Sequence, residues 1–111
     1  MFFTVNGEEW QLSFVKPNDV MLMRSDKTIT LGVTDDNYRT VFINNKLNGR
    51  LLDKVLCHEL VHVFSFAHDL NIPIKTEELI ADFLATYGRD IFDVADELLT
   101  RMMKVAIWKI K

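Results

Sequence analysis

Residues 48–70 have the sequence NGRLLDKVLCHELVHVFSFAHDL, and this stretch predicts the helix on which the fold depends. Its apolar residues recur every three or four positions, which is the spacing of an amphipathic helix. Asn48 is a favourable N-cap residue directly before the pattern begins. The stretch contains His58-Glu59-Leu60-Val61-His62, so we expect two histidines one turn apart on one helix face.

The two histidines are at a spacing that favours a metal site. Because His58 and His62 differ by only about 40° around the helix, both rings can direct a nitrogen at one zinc ion. Glu59 lies about 60° from His62, too far to share the ion easily but near enough to act on a water beside it. HExxH on a helix is typical of metallopeptidases in which the glutamate is the general base. The alternative is that the HExxH match is accidental and that the two histidines are ordinary core or surface residues.

A third protein ligand is needed for a catalytic zinc site that keeps one position open. Glu78 is the preferred candidate, because Asp82 follows one turn later and can orient a ligating histidine. Glu77, which points about 100° away from Glu78, is the reserve candidate. His68 has the spacing of the third ligand in HExxHxxGxxH sites, but Ser65 stands where the glycine would be. A continuous helix would turn His68 onto another face.

The segment that follows the motif carries a family resemblance. HELVH at 58–62 followed by ELIADFLA at 78–85 resembles the ImmA/IrrE-type zinc metallopeptidases of phages and other mobile elements. The resemblance covers residues 55–85 and implies Zn²⁺ as cofactor and a repressor-like or other regulatory protein as substrate. It also implies ligand roles for three residues and a base role for a fourth: His58, His62, Glu78 and Glu59. At residues 86–90 the sequence TYGRD departs from the pattern common in the family.

The residues before the motif predict two β-hairpins. Asn6-Gly7 is a strong turn signal between residues 2–5 and 10–15. Residues 28–33 and 40–43 are rich in β-branched side chains and flank a polar loop at 34–38.

The residues after the motif predict two more helices. Pro73 ends the first helical pattern at about Leu70, and Thr76 is a candidate N-cap for a second helix that runs to about Tyr87. Gly88 then separates a third, amphipathic helix that continues to the C-terminus. We therefore expect one α+β domain over residues 1–111, with a minimal zincin-like fold in which a small antiparallel sheet packs against three helices.

The composition limits the class of protein. The chain has 111 residues, 49% of them hydrophobic, and 13 Lys and Arg against 16 Asp and Glu. A net charge of -3 argues against nucleic-acid binding. We expect no membrane span, because no stretch of about 18 apolar residues occurs, and no secretory leader. The single cysteine, Cys57, excludes an internal disulfide. These features predict a cytoplasmic protein, with its oligomeric state open. The family resemblance implies that the cell is a bacterial or phage-infected host.

These observations predict zinc-dependent hydrolysis of peptides. Metal-activated water would attack the peptide carbonyl while Glu59 serves as general base. Tyr87 and His68 are candidates for contacting the oxyanion or the substrate, and a strand edge of the second hairpin can hold an extended peptide. The alternative is a non-catalytic zinc-binding module for regulation or protein interaction on the same scaffold. Zinc, manganese and cobalt all suit such sites.

Overall fold

The computed structural model describes residues 1–110, with side chains for residues 1–104, and it confirms the α+β class. Lys111, where the third predicted helix would end, lies outside the described residues. A short 3-10 turn at Val20–Leu22 lies between the second and third of four strands. The strands and the two helices that follow them are β1 Phe2–Val5, β2 Glu8–Val15, β3 Gly32–Asp35, β4 Thr40–Asn44, α1 Gly49–Ala67 and α2 Ile74–Ile110.

The first predicted hairpin is confirmed. β1 pairs antiparallel with β2, and the pair Val5↔Glu8 closes a two-residue turn. Asn6 and Gly7 have φ of 48° and 76°. Both angles are in the left-handed region, as a type I′ turn requires, and this turn matches the right-handed twist of the strands.

The sheet is mixed, so the prediction of an antiparallel sheet is wrong. β3 and β4 form the second antiparallel hairpin, but β4 lies beside β2 and runs parallel to it, which gives the order β1-β2-β4-β3. The chain leaves β2, forms β3 at the far edge, and returns through β4 to the middle of the sheet. β3 consequently has a strand on one side only and is an edge strand next to α1.

Two helices follow the strands, so the prediction of three helices is also wrong. α2 continues through Gly88, whose backbone is not in the left-handed region that ends helices. A glycine inside a helix costs only about 0.5–1 kcal/mol relative to alanine, and Leu84 and Phe92 pack over this one. Neither helix has, within its described residues, the length of apolar sequence needed to cross a bilayer.

The helix boundaries between α1 and α2 also differ from the prediction. α1 ends at Ala67 instead of about Leu70, because Asp69 and Asn71 adopt left-handed backbone angles of 52° and 55°. α2 begins at Ile74, directly after Pro73, so Thr76 lies inside the helix and is not its N-cap. A proline directly before the first turn suits a helix start, since the first N–H groups have no partner within the helix.

The core lies between one face of the sheet and α1. Its most deeply buried side chains come from the sheet and from α1: Trp10, Val41, Ile43 and Val63. Leu22, in the 3-10 turn, is also fully buried. Gly32, at the start of β3, lies where the strand passes closest to α1. A Cβ atom there would lie 2.9 Å from Val55 Cγ1 and 3.1 Å from Glu59 Cγ. The absence of a side chain at Gly32 therefore lets the edge strand lie directly against the helix that carries the motif.

Replacing Gly32 with alanine is expected to lower the free energy of unfolding by about 1–3 kcal/mol, because overpacking forces the strand and the helix apart. Denaturant unfolding measures this loss. Gly88→Ala is the matched control: the nearest side-chain atom to its added Cβ is Leu84 Cδ2 at 3.7 Å, an ordinary contact. This control should raise the free energy of unfolding by about 0.5–1 kcal/mol. Equal losses in both variants would contradict the close approach at Gly32.

Candidate metal centre

The two histidines of the motif and one glutamate converge on a common point. His58 and His62 project from α1, and Glu78 projects from the start of α2, which packs antiparallel to α1. The Nε2 atoms of the two rings are 3.3 Å apart. Glu78 Oε1 lies 2.9 Å from His62 Nε2, and Glu78 Oε2 lies 3.2 Å from His58 Nε2. These ligand atoms all lie within 4.8 Å of one another.

These separations fit a single tetrahedral ion. Two ligand atoms that each lie 2.0–2.1 Å from a tetrahedral ion are about 3.3 Å apart. The two ring nitrogens are 3.3 Å apart, and each lies 2.9 or 3.2 Å from one oxygen of the Glu78 carboxylate. Two imidazole nitrogens and one carboxylate are a donor set typical of catalytic zinc sites. The three side chains can therefore hold one metal ion.

The other nitrogen of each ring faces a carboxylate. Asp82 Oδ1 lies 2.9 Å from Nδ1 of His58, and Glu77 Oε1 lies 2.6 Å from Nδ1 of His62. In the tautomer in which Nδ1 carries the hydrogen, each ring donates to its carboxylate and keeps a lone pair on Nε2. In that tautomer the two lone pairs and the Glu78 carboxylate face one another at close range as acceptors. A cation between them would relieve the repulsion, so this tautomer suits a metal ion.

Glu77 orients His62, a role that the sequence analysis did not assign to it. Its carboxylate is buried, and Ser65 donates a hydrogen bond of 2.8 Å to the oxygen that does not face His62. Glu77 therefore lies on the far side of the His62 ring from Glu78, instead of competing with it. Ser65, which stands where metzincins have a glycine, helps to hold this carboxylate.

Glu59 is held beside the cluster by a residue that the sequence analysis placed in a loop. Thr34 on β3 donates its hydroxyl to Glu59 Oε1 at 2.9 Å. The other carboxylate oxygen, Oε2, is 3.9 Å from His58 Nε2. Burial raises the pKa of the Glu59 carboxyl, while the Thr34 hydroxyl and the two histidines act in the opposite direction. In the sequence, the only indication that Thr34 belongs to a strand is that threonine is β-branched, as strand residues often are.

A cleft of about 270 Å³ lies next to the cluster. His58, Glu59 and Asp82 form one wall, and β3 begins at its other side with Gly32. Two basic residues, Arg24 and Lys54, also line it. One side of the cluster is therefore accessible to small molecules and to an extended chain.

Two residues with sequence-predicted roles lie away from the cluster. His68 is the exposed C-cap of α1, and its ring stacks on Phe64 with centroids 5.8 Å apart. Because α1 stays helical up to Ala67, His68 faces away from His62, as its helical angle predicts. Tyr87 packs on Phe83 with ring centroids 5.4 Å apart. It lies nine residues after Glu78, about half a turn away around α2, and it does not line the cleft.

Comparison of the chain with protein-family models, curated proteins and solved structures finds no match. The chemistry of the site is therefore argued from its own geometry. The cluster has three ligand atoms that fit one ion, an adjacent buried carboxylate and an accessible side. A metal ion, a base and a cleft are the parts that metal-assisted hydrolysis requires.

Proposed function

We propose that this protein is a zinc-dependent peptidase with a minimal zincin-like fold. The observation that carries the proposal is the convergence of His58 Nε2, His62 Nε2 and the Glu78 carboxylate, with the Glu59 carboxylate beside them. Three protein ligands leave a fourth position of a tetrahedral ion for water or substrate, which distinguishes catalytic zinc sites from closed structural ones.

The choice of zinc follows from the donor set. Imidazole nitrogens suit zinc and other transition metals, whereas calcium and magnesium prefer oxygen ligands. A zinc ion bound by these three residues supplies Lewis acidity, which polarises a carbonyl oxygen and lowers the pKa of a coordinated water.

Glu59 has the position and the environment of a general base. Its carboxylate lies next to His58 Nε2, and Thr34 holds one of its oxygens, so the other oxygen is free to accept a proton from the attacking water. The same carboxyl can then give that proton to the leaving amine. Burial favours this exchange, because a carboxyl whose pKa is raised by desolvation accepts a proton more readily.

The edge strand β3 offers a place for the substrate. Its outer edge pairs with none of the strands described, and Thr34 connects the strand directly to Glu59. An extended peptide that adds to this edge by main-chain hydrogen bonds would run along the cleft and past the cluster. The family resemblance suggests a regulatory or repressor-like protein as the physiological substrate, inside a bacterial or phage-infected cell.

The test of this function is to measure zinc binding and hydrolysis on the same preparation. The protein, stripped with a chelator, should bind one zinc ion per chain, measured by elemental analysis after gel filtration. A fluorescence-quenched peptide library should be cleaved by the zinc-loaded protein. Cleavage should stop when 1,10-phenanthroline is added and return when zinc is restored. Stoichiometric zinc without any cleavage would favour the non-catalytic zinc-binding module, and no zinc binding would mean that the HExxH match is accidental.

A further inference from the structure

α2 is longer than the helix against which it packs. Asp82 lies beside His58 on α1, and seven residues later Arg89 binds Asp53 with N···O distances of 2.5 and 2.9 Å. Continuing this antiparallel pairing brings α2 level with the first residue of α1, Gly49, at about residue 93. Every residue from 89 to 104 is exposed. We call this exposed segment of α2 the α2 extension. Its first residues still lie beside α1, and from about residue 93 it projects beyond the first residue of α1.

The α2 extension is amphipathic in spite of its exposure. At about 100° per residue, its large apolar side chains occupy about half of the circumference and its charged side chains occupy the other half. The apolar side chains are between 43% and 64% exposed. They are Ile91, Phe92, Val94, Leu98, Leu99, Met102 and Met103. A surface helix with such a wide apolar face buries that face against another element.

The apolar area is sufficient for a stable interface. Aromatic side chains have roughly 150–250 Å² of surface, and the aliphatic side chains of the extension lie at the lower end of that range. Together with Tyr87, whose side chain is also about half exposed, the apolar side chains of the extension offer roughly 600 Å² per chain. Interfaces of standard size begin at about 600 Å² on each partner. An apolar groove of about 580 Å³ between α1 and α2 extends the same surface toward the body, with Leu84 and Phe92 in its lining.

The charges along the α2 extension are complementary to a second copy of the same helix. After Arg89, which is paired with Asp53 on α1, four acidic residues come first and two basic residues follow: Asp90, Asp93, Asp96, Glu97, then Arg101 and Lys104. In an antiparallel pair centred near Leu98, the acidic half of one helix lies beside the basic half of the other. In a parallel pair, like charges would lie together. The charge order therefore favours an antiparallel self-association.

We propose that the α2 extension is a dimerisation helix, which pairs in antiparallel orientation with the extension of a second copy of this chain. The pair is isologous, as most two-fold interfaces are, and buries the apolar half of both helices. Within this face, Leu98 points about 160° away from Glu78 around α2, whereas Met103 at its margin points only about 20° away. Leu98 nevertheless lies about 30 Å further along α2 than Glu78, because each residue of a helix adds about 1.5 Å. The dimer thus leaves both clefts accessible, and each chain keeps its own cluster.

Sedimentation velocity of the full chain under reducing conditions tests the proposal. The chain should sediment as a dimer, at twice its mass of 12.9 kDa, at concentrations of about 50 µM. Leu98→Glu combined with Met102→Glu should raise the dimer dissociation constant about 100-fold or more, because charged groups cannot be buried unpaired in the interface. Thr100→Glu is the matched control on the polar face and should leave dimerisation unchanged. Near-UV circular dichroism verifies that the body of each variant is folded.

Three results would overturn the proposal. The first is a wild-type chain that stays monomeric at about 50 µM. The second is a dimer that persists in the folded double-glutamate variant, because another surface would then hold it. The third concerns orientation: raising the NaCl concentration from about 50 to 500 mM should weaken an antiparallel dimer by screening opposite charges. A dimer that becomes tighter in salt would instead place like charges together.

Discussion

Replacing Glu59 with glutamine is expected to lower kcat by about 10²–10⁴-fold, which is the contribution of a positioned general base. Glutamine has nearly the same shape as glutamate, and its carbonyl oxygen can still accept the hydrogen bond that Thr34 donates at 2.9 Å. The amide cannot take a proton from water. KM and the zinc content should therefore stay close to those of the parent protein, and steady-state hydrolysis of a peptide that the parent cleaves measures the loss.

Thr34→Val tests the same carboxylate with a milder change than Glu59→Gln. Valine keeps the branched shape of threonine but cannot donate to Glu59 Oε1, so the carboxylate remains and its orientation is loosened. We expect a smaller fall in kcat, with zinc affinity unchanged. If Glu59→Gln hydrolyses peptides at the parental rate, Glu59 is not the base. If it loses zinc as well as activity, the residue acts on the metal site and the interpretation of Glu59 as a base is wrong.

The parts of the fold that depend on near neighbours in sequence could be predicted. The turn at Asn6-Gly7 requires two left-handed residues in succession, and these two residue types supply them at low cost. The helix around the HExxH motif follows from apolar spacing within single turns. Because the positions of His58 and His62 on that helix are set by four residues of regular backbone, the approach of their Nε2 atoms was also predictable.

The arrangement of the strands could not be predicted in the same way. The first hairpin was predicted, and the second was predicted with its first strand at residues 28–33 where the structure has it at Gly32–Asp35. Nothing in either hairpin determines that β4 should lie beside β2. That pairing joins residues about 30 positions apart and is decided by how both hairpins pack on α1. The continuity of α2 is a similar case. Gly88 weakens the helix by at most about 1 kcal/mol, which the packing of Leu84 and Phe92 readily offsets.

The separate roles of Glu77 and Glu78 could not be predicted either, because they also depend on how distant elements pack together. The two residues are adjacent and both begin a helix, so the sequence gives no preference beyond the spacing to Asp82. Their roles are set by the rotation of α2 against α1, which brings Glu77 to Nδ1 of His62 and Glu78 to Nε2. Sequence patterns predict helices but not their rotation in a packed pair, which explains why Glu77 was regarded only as a reserve ligand.

Replacing Glu78 with glutamine is expected to weaken zinc binding roughly 10³-fold. Structural zinc sites with four protein ligands bind with about 10–16 kcal/mol in total, or about 2.5–4 kcal/mol per ligand, and the upper value corresponds to about 10³-fold in the dissociation constant. Competition with a chromophoric chelator measures the dissociation constant directly, without a substrate. The geometry predicts this loss because the two Glu78 oxygens lie 2.9 and 3.2 Å from the ring nitrogens that face the metal position.

Glu77→Gln is the matched comparison, since it makes the same chemical change one residue earlier. We expect a loss of about 10–100-fold, because Glu77 contacts His62 only at Nδ1 and affects the metal through the ring. His68→Ala should leave zinc affinity unchanged, as the ring stacks on Phe64 outside the cluster. The discriminating result is the order of the losses in zinc affinity: largest for Glu78→Gln, smaller for Glu77→Gln and none for His68→Ala. A larger loss for Glu77→Gln than for Glu78→Gln would make Glu77 the ligand, and a large loss for His68→Ala would require a site of the HExxHxxGxxH type.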